Sequence, residues 1–128
     1  MALVRLPRAV SLWAPVVVWA AVIFALSSVP NLATDLGVWD TVLRKCAHAS
    51  EYAVLVLLLF RALGRELPAF LIGLAYAVTD ELHQQFVRGR HASPFDVSMD
   101  AAGLALGLLV LHATRLWASS RSVQSQRG

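Results

Sequence analysis

The length, composition and charge of the chain exclude a soluble globular domain. Its 128 residues are 58% hydrophobic and only 15% charged, whereas a soluble domain has roughly 45–50% apolar and about 25% charged residues. The net charge of +3 comes from arginines that interrupt hydrophobic runs, a pattern typical of membrane topology signals rather than of nucleic-acid binding. The single cysteine, Cys46, excludes an intrachain disulfide and a CxxC metal or redox site.

Four apolar runs, each close to the about 20 residues that a helix needs to cross a bilayer, predict the secondary structure. We expect spans at about 9–29, 46–63, 67–87 and 97–117, followed by a disordered polar tail over 118–128. Pro68 and Pro94 suit the first turn of a helix, and Ser93 with Asp96 is suited to cap the fourth. The sequence therefore predicts an all-α fold, with residues 1–128 forming one integral membrane domain, a four-helix transmembrane bundle.

The first apolar run also fits a cleaved signal peptide. Arg5 and Arg8 precede it, and Ala25-Leu26-Ser27 near its end resembles a small-residue cleavage site. The run is long for the apolar part of a signal peptide, which favours a retained transmembrane helix.

The distribution of basic residues predicts the orientation in the membrane. One set of connections and ends carries Arg5, Arg8, Arg61, Arg65, Arg115, Arg121 and Arg127; the other carries Arg44, Lys45, Arg88 and Arg90, partly balanced by Asp35 and Asp40. The positive-inside rule assigns the richer set to the cytoplasm, so we expect both termini there and the Arg88 loop outside. The arginine-rich, lysine-poor composition is common in bacterial genomes of high GC content, which predicts a multi-pass protein of the bacterial inner membrane.

Three acidic residues from three predicted helices fall at one depth. With a rise of about 1.5 Å per residue, Glu51, Asp80 and Asp100 each lie roughly 9–10 Å from the same membrane face. Ionisable groups inside a span are costly and by default mark a functional site. We therefore expect a polar cleft near the extracytoplasmic face.

Three motifs carry a resemblance to the VanZ-like family. They are LRKCAHASEY at 43–52, DELHQQFVRGR at 80–90 and SPFDVSMDAAG at 93–103, and the likeness covers about residues 12–112. The positions that fit the motifs are Lys45, His48, Glu51, Tyr52, Asp80, Glu81, Gln84, Gly89, Arg90, Asp96 and Gly103. The family is named for an accessory protein that raises resistance to the glycopeptide teicoplanin, which implies a role at the cell envelope. Two positions depart from the pattern: Arg88 stands where Pro is usual, and Asp100 where Asn is usual.

The pattern and the resemblance together give two sets of candidate site residues. The candidate catalytic residues are His48, Glu51, Asp80, Glu81 and Asp100, and the candidate substrate-binding residues are Arg44, Lys45, Tyr52, Gln84, Arg88, Arg90 and Asp96. Arginine and lysine suit a phosphate, and His48 paired with Glu51, or Glu81, suits a general base. We expect a membrane protein that acts on or binds a lipid-linked envelope precursor or a phospholipid headgroup and affects glycopeptide susceptibility; whether it is an enzyme is left open.

Other interpretations stay open. The same cations would also serve a non-catalytic protein that binds a membrane lipid or a drug. A metal could use His48, Glu51, Asp80, Glu81 and His83, but His-x-x-Glu alone is a weak pattern, so we assign no metal site and no cofactor. Ion pairs Lys45–Glu51 and Arg90–Asp80 would merely fix the helix register. The pattern fits a monomer and a homo-oligomer equally.

Overall fold

The computed structural model describes residues 6–30 and 37–126, which form four α-helices and, within those ranges, no strand. The helices are α1 (Arg8–Ser27), α2 (Val38–Leu63), α3 (Glu66–Gln84) and α4 (Pro94–Ser125). Helices α1, α2 and α4 are long and apolar enough to cross a membrane. These findings confirm the prediction of an all-α membrane bundle. Arg5, Asp35 and Arg127, used above in the charge balance, lie outside the described residues.

Contacts at the two ends of the bundle show that successive helices alternate in direction. At one end, the last residue of α1 contacts the first half of α2 and the last turns of α3. At the other end, Arg61 of α2 donates a hydrogen bond to the carbonyl of Ser11 in α1, and His112 of α4 lies 3.0 Å from Glu66 of α3. Helix α2 packs against each of the other three helices. It therefore forms the centre of an up-down-up-down bundle.

The closest approach in the bundle is between α2 and α4, where Gly103 and Gly107 face the backbone of α2. A Cβ atom at Gly103 would overlap the carbonyl oxygen of Ala49, and one at Gly107 would lie 2.6 Å from that of Ala53. Glycines four residues apart are on one helix face and let two backbones come together. This seam brings the polar first turns of α4 against those of α2.

Several of the observed helix bounds differ from the predicted spans. Helix α2 begins at Val38 rather than near 46, because Asp40 lies in its first turn and pairs with Arg44 one turn later. Helix α3 ends at Gln84 rather than 87, because the next amides bond to carbonyls only three residues back. Helix α4 continues to Ser125, where we expected disorder from residue 118.

Candidate functional site

His48 lies at the centre of a buried polar cluster formed by three helices. Its Nδ1 is 2.7 Å from Oδ1 of Asp100 on α4, and its Nε2 is 3.4 Å from Oδ2 of Asp80 on α3. Asp80 and Asp100 are only 2% and 1% exposed. An ionised carboxylate can only accept hydrogen bonds. The imidazole therefore lies between two buried carboxyl groups that come from two different helices.

Asp80 is held by donors from three helices. Its Oδ2 accepts hydrogen bonds from Ser27 Oγ of α1 at 2.7 Å, Gln84 Nε2 at 3.2 Å and Tyr52 Oη at 3.4 Å. Ser27 is fully buried, and its Oγ also lies 3.3 Å from Nε2 of His48. All four helices thus contribute to one network, and the end of α1 is part of it.

Three buried carboxylate oxygens of the cluster accept no hydrogen bond from the described residues. They are Oε2 of Glu51, Oδ1 of Asp80 and Oδ2 of Asp100. Oε2 of Glu51 is 3.9 Å from Nε2 of His48, close enough for charge attraction but too far for a hydrogen bond. Buried polar atoms are nearly always paired, so each exception calls for an explanation, such as water or a functional role. The cluster therefore retains acceptor capacity for a proton or a ligand.

An open cleft lies next to this cluster, at the same end of the bundle. Its volume is about 280 Å³. The residues that line it are Asp40, Thr41, Arg44, Lys45, His48, Glu81, Gln84, Gly89, Arg90, His91, Asp96, Met99 and Asp100. His48 and Asp100 belong to both the buried network and the cleft lining. A ligand in the cleft would therefore be in contact with groups that connect to Asp80.

Two cations on the α2 side of the cleft are paired with acids. Arg44 Nε lies 2.9 Å from Oδ2 of Asp40, and Lys45 Nζ lies 2.8 Å from Oδ1 of Asp96. Lys45 therefore pairs with Asp96 on α4. The register hypothesis had paired it with Glu51 on its own helix. The side chains of Arg44 and Lys45 remain 38% and 33% exposed. Both cations are accessible from the cleft.

Arg90 fastens the loop between α3 and α4 to the end of α1. Its guanidinium donates to Oε1 of Gln84 at 3.1 Å and to the carbonyls of Val29 at 3.0 Å and Leu26 at 3.4 Å. Leu26 lies in the last turn of α1, and Val29 follows two residues after the end of the helix. Arg90 therefore binds the end of α1, whereas the register hypothesis paired it with Asp80.

The start of α4 has the predicted cap. Oγ of Ser93 accepts from the amide of Asp96 at 3.2 Å and donates to its carboxylate at 2.8 Å, with Pro94 in the first turn. The amide of Ser93 donates to Oε1 of Glu81 at 2.9 Å. Glu81 thereby ties the start of α4 to α3, and it also lines the cleft.

The structure gathers most of the candidate residues but distributes them over two layers. Glu51, Asp80 and Tyr52 lie outside the cleft lining; Tyr52 is fully buried, so it supports Asp80 instead of facing a ligand. Arg88 is exposed in the loop and does not line the cleft either. The buried layer is therefore suited to positioning, and the cleft layer to ligand contact.

Several residues of the site were not among the candidates from the sequence. Ser27 was considered only as part of a cleavage-site pattern, although a polar residue at the end of an apolar run was a signal for it. Asp40 lies outside the three motifs, and Met99 lies within the third but is not one of the positions that fit it; both residues line the cleft. His91 is exposed and lines the cleft as well.

Of the residues considered for a metal, His48, Glu51 and Asp80 lie in the buried cluster, whereas His83 contacts the end of α1. Nε2 of His83 lies 3.0 Å from Oγ of Ser28, and its ring stacks on Phe24 with centroids 4.2 Å apart. Over residues 6–30 and 37–126, no group of three or more His, Cys, Asp or Glu side chains is arranged to hold a metal ion.

The profile of one protein family, described as VanZ/LLP1, matches residues 8–116. No curated protein and no solved structure shows significant similarity to the chain. The matched residues run from the first residue of α1 into the second half of α4 and include His48, Asp80, Asp100 and the whole cleft lining. The resemblance in the three motifs is thereby confirmed, and the chain belongs to the VanZ/LLP1 family.

Proposed function

We propose that the cleft binds the phosphate-bearing headgroup of an envelope lipid, either a lipid-linked precursor or a phospholipid. The observation that carries this proposal is the position of Arg44 and Lys45, which are partly exposed on the wall of a cleft of about 280 Å³. A lysine ammonium has three donors, so the pairing of Lys45 with Asp96 leaves donors for a phosphate.

The length of α2 supports a ligand at headgroup depth. Its 26 residues give a helix of about 39 Å, whereas the hydrocarbon core of a bilayer is about 30 Å thick. The polar first turns, with Asp40 and Arg44, would therefore stand in the headgroup layer. Phosphates of membrane lipids are found at that level.

Cleavage of the headgroup is a second candidate, favoured by the acids beside the cleft. Asp100 lines the cleft, has one buried oxygen without a donor and contacts His48 through the other. Glu81 also lines the cleft. Such carboxylates can take up a proton from an attacking water or from a substrate hydroxyl, and His48 would hold Asp100 in place.

Replacing Lys45 with alanine is expected to weaken binding of a phosphate-bearing lipid by about 10- to 100-fold, because a charge-assisted hydrogen bond contributes roughly 1.5–3 kcal/mol. Native mass spectrometry of the full chain in dodecyl maltoside, titrated with phosphatidylglycerol or a polyprenyl phosphate, measures this. Diacylglycerol serves as the uncharged probe. Arg65→Ala, which changes an exposed cation at the other end of the bundle, is the matched control and should bind as wild type does.

Equal binding by wild type and Lys45→Ala would contradict the proposed headgroup site. The same samples, analysed for released headgroup, separate the two candidate functions. An enzyme would convert its lipid with wild type and fail to do so with Glu81→Gln, whereas a binding protein would leave every lipid intact. For the cell envelope, expression of wild type and not of Lys45→Ala should alter teicoplanin susceptibility.

We further propose that the cleft end faces outward and both termini lie in the cytoplasm. In a Cys46→Ser background, a cysteine in place of Arg88 should react with a membrane-impermeant thiol reagent in intact cells. The background is needed because Cys46 is itself exposed. A cysteine in place of Arg65 should react only after permeabilisation, and the opposite pattern would invert the orientation.

A further inference from the structure

A second cavity, separate from the polar cleft, lies between the last turns of α3 and the start of α4. It has a volume of about 330 Å³, and its apolar lining includes Val78, Leu82, Pro94 and Val97. Val78 and Leu82 are 42% and 52% exposed. In a membrane bundle, exposed apolar side chains on the outer face of the helices contact lipid chains. We call this cavity the α3–α4 groove.

One side chain, that of Glu81, lines both the α3–α4 groove and the polar cleft. Glu81 is only 5% exposed, and its Oε1 is fixed by the amide of Ser93. The side chain of Glu81 therefore forms part of the wall between the polar cleft and the apolar α3–α4 groove. Lys45 and Arg44 lie on one side of it, and Val78 and Val97 on the other.

We propose that the α3–α4 groove holds a hydrocarbon chain of the same amphiphile whose phosphate occupies the cleft. The inference rests on the proposed function and specifies its ligand class, a phosphate carrying a long alkyl or isoprenoid chain. A water-soluble phosphate would use the cleft alone. Ligand pockets range over about 300–1,000 Å³, and the groove, at about 330 Å³, lies within that range.

The hydrocarbon chain of the ligand enters the α3–α4 groove from the bilayer and stays within the hydrocarbon layer. The groove residues of α3 are Val78, Glu81 and Leu82, in its last two turns, and Gln85 follows directly after the helix, before the loop that lines the cleft. A lipid whose chain slides along these turns brings its headgroup to Glu81 and Ser93. Only the phosphate then has to cross the Glu81 wall, and it meets the cations of α2 there.

Filling the groove tests the proposal. Val97→Trp should weaken binding of hexadecyl phosphate to the full chain in dodecyl maltoside by at least about tenfold, because less apolar surface of the chain is buried. Binding of glycerol 1-phosphate, which has no long chain, should stay unchanged. Leu109→Trp, at an exposed position of α4 outside the groove, is the matched control. Val78→Trp fills the groove from α3 and replaces Val97→Trp if that variant does not fold.

The outcomes separate this inference from the proposed function. If Lys45→Ala weakens binding of both probes but neither groove variant affects hexadecyl phosphate, the groove is not the chain site and the headgroup site stands. Loss of both probes in Val97→Trp and Val78→Trp would also overturn the chain assignment, since the change would then act on the cleft. If wild type binds neither probe, the headgroup site and the groove inference are both rejected.

Discussion

His48→Ala is expected to lower the free energy of unfolding by about 3–5 kcal/mol, because removing one partner of a buried charge cluster leaves the others uncompensated. His48 contacts Asp100 at 2.7 Å and Asp80 at 3.4 Å, and both acids are almost completely buried. Without the imidazole, two carboxylates would face each other in the bundle. Unfolding in mixed detergent micelles, followed by tryptophan fluorescence, measures the change.

Two further variants give this prediction its controls. His112→Ala removes a histidine that lies 3.0 Å from an acid, but its side chain is 54% exposed, so the loss should stay below about 1 kcal/mol. Asp100→Asn keeps an acceptor for Nδ1 of His48 and removes one buried charge, so it should destabilise far less than His48→Ala. A His48→Ala protein as stable as His112→Ala would show that the cluster carries no net charge interaction.

Gly103→Ala is expected to destabilise the bundle by about 1–3 kcal/mol, although alanine favours a helix by roughly 1 kcal/mol over glycine. The added methyl group would overlap the backbone carbonyl of Ala49, and backbone cannot rotate away as a side chain can. Helix α4 would have to shift, and Asp100, one turn earlier, would shift with it. The same variant should therefore also weaken phosphate binding in the native mass spectrometry titration.

Gly73→Ala is the matched control for this seam. A Cβ atom at Gly73 would meet only the end of the Leu104 side chain, 2.6 Å from its Cδ2. A leucine end can adopt another rotamer, so we expect a change well below that of Gly103→Ala. Equal losses at both glycines would mean that crowding in general, and not the α2–α4 backbone approach, limits stability.

The level at which the charged residues meet was predictable from the sequence. Depth along a helix depends only on the fixed rise per residue, so Asp80 and Asp100 could be placed at one height without knowledge of packing. Their common neighbour His48 lies in the same motif as Glu51. That motif indicated that the first half of α2 belongs to the site. Periodicity and helix geometry are local properties and survive any arrangement of the bundle.

The choice of partners was not predictable, because it depends on how the helices are rotated about their axes. Lys45 had Glu51 within two turns on its own helix, yet it pairs with Asp96, 51 residues further along the chain. Ser27 joins Asp80 only because α1 ends at the height of the cluster. A single sequence does not show how each helix is rotated about its axis relative to its neighbours.

The polar end of α4 shows where composition misleads. Serine and arginine suggested disorder after residue 117, but a helix that is already nucleated gains one backbone hydrogen bond for each residue it adds. The guanidinium of Arg121 also lies 3.7 Å over the ring of Trp117, one turn earlier. Continuation of an existing helix therefore prevails over the low apolar content of this segment.

The uninterrupted length of α4 makes it a lever with its pivot at Gly103. From Gly103 to Ser125 the helix is about 33 Å long, and from Pro94 to Gly103 about 13 Å, at 1.5 Å per residue. A sideways movement at the groove end is therefore magnified more than twofold at the other end, provided that the seam acts as the fulcrum. A ligand that pushes Pro94 by about 1 Å would swing Ser125 by about 2.5 Å. If α4 moves as one rigid rod, its exposed end near Ser125 would shift when a ligand displaces its start.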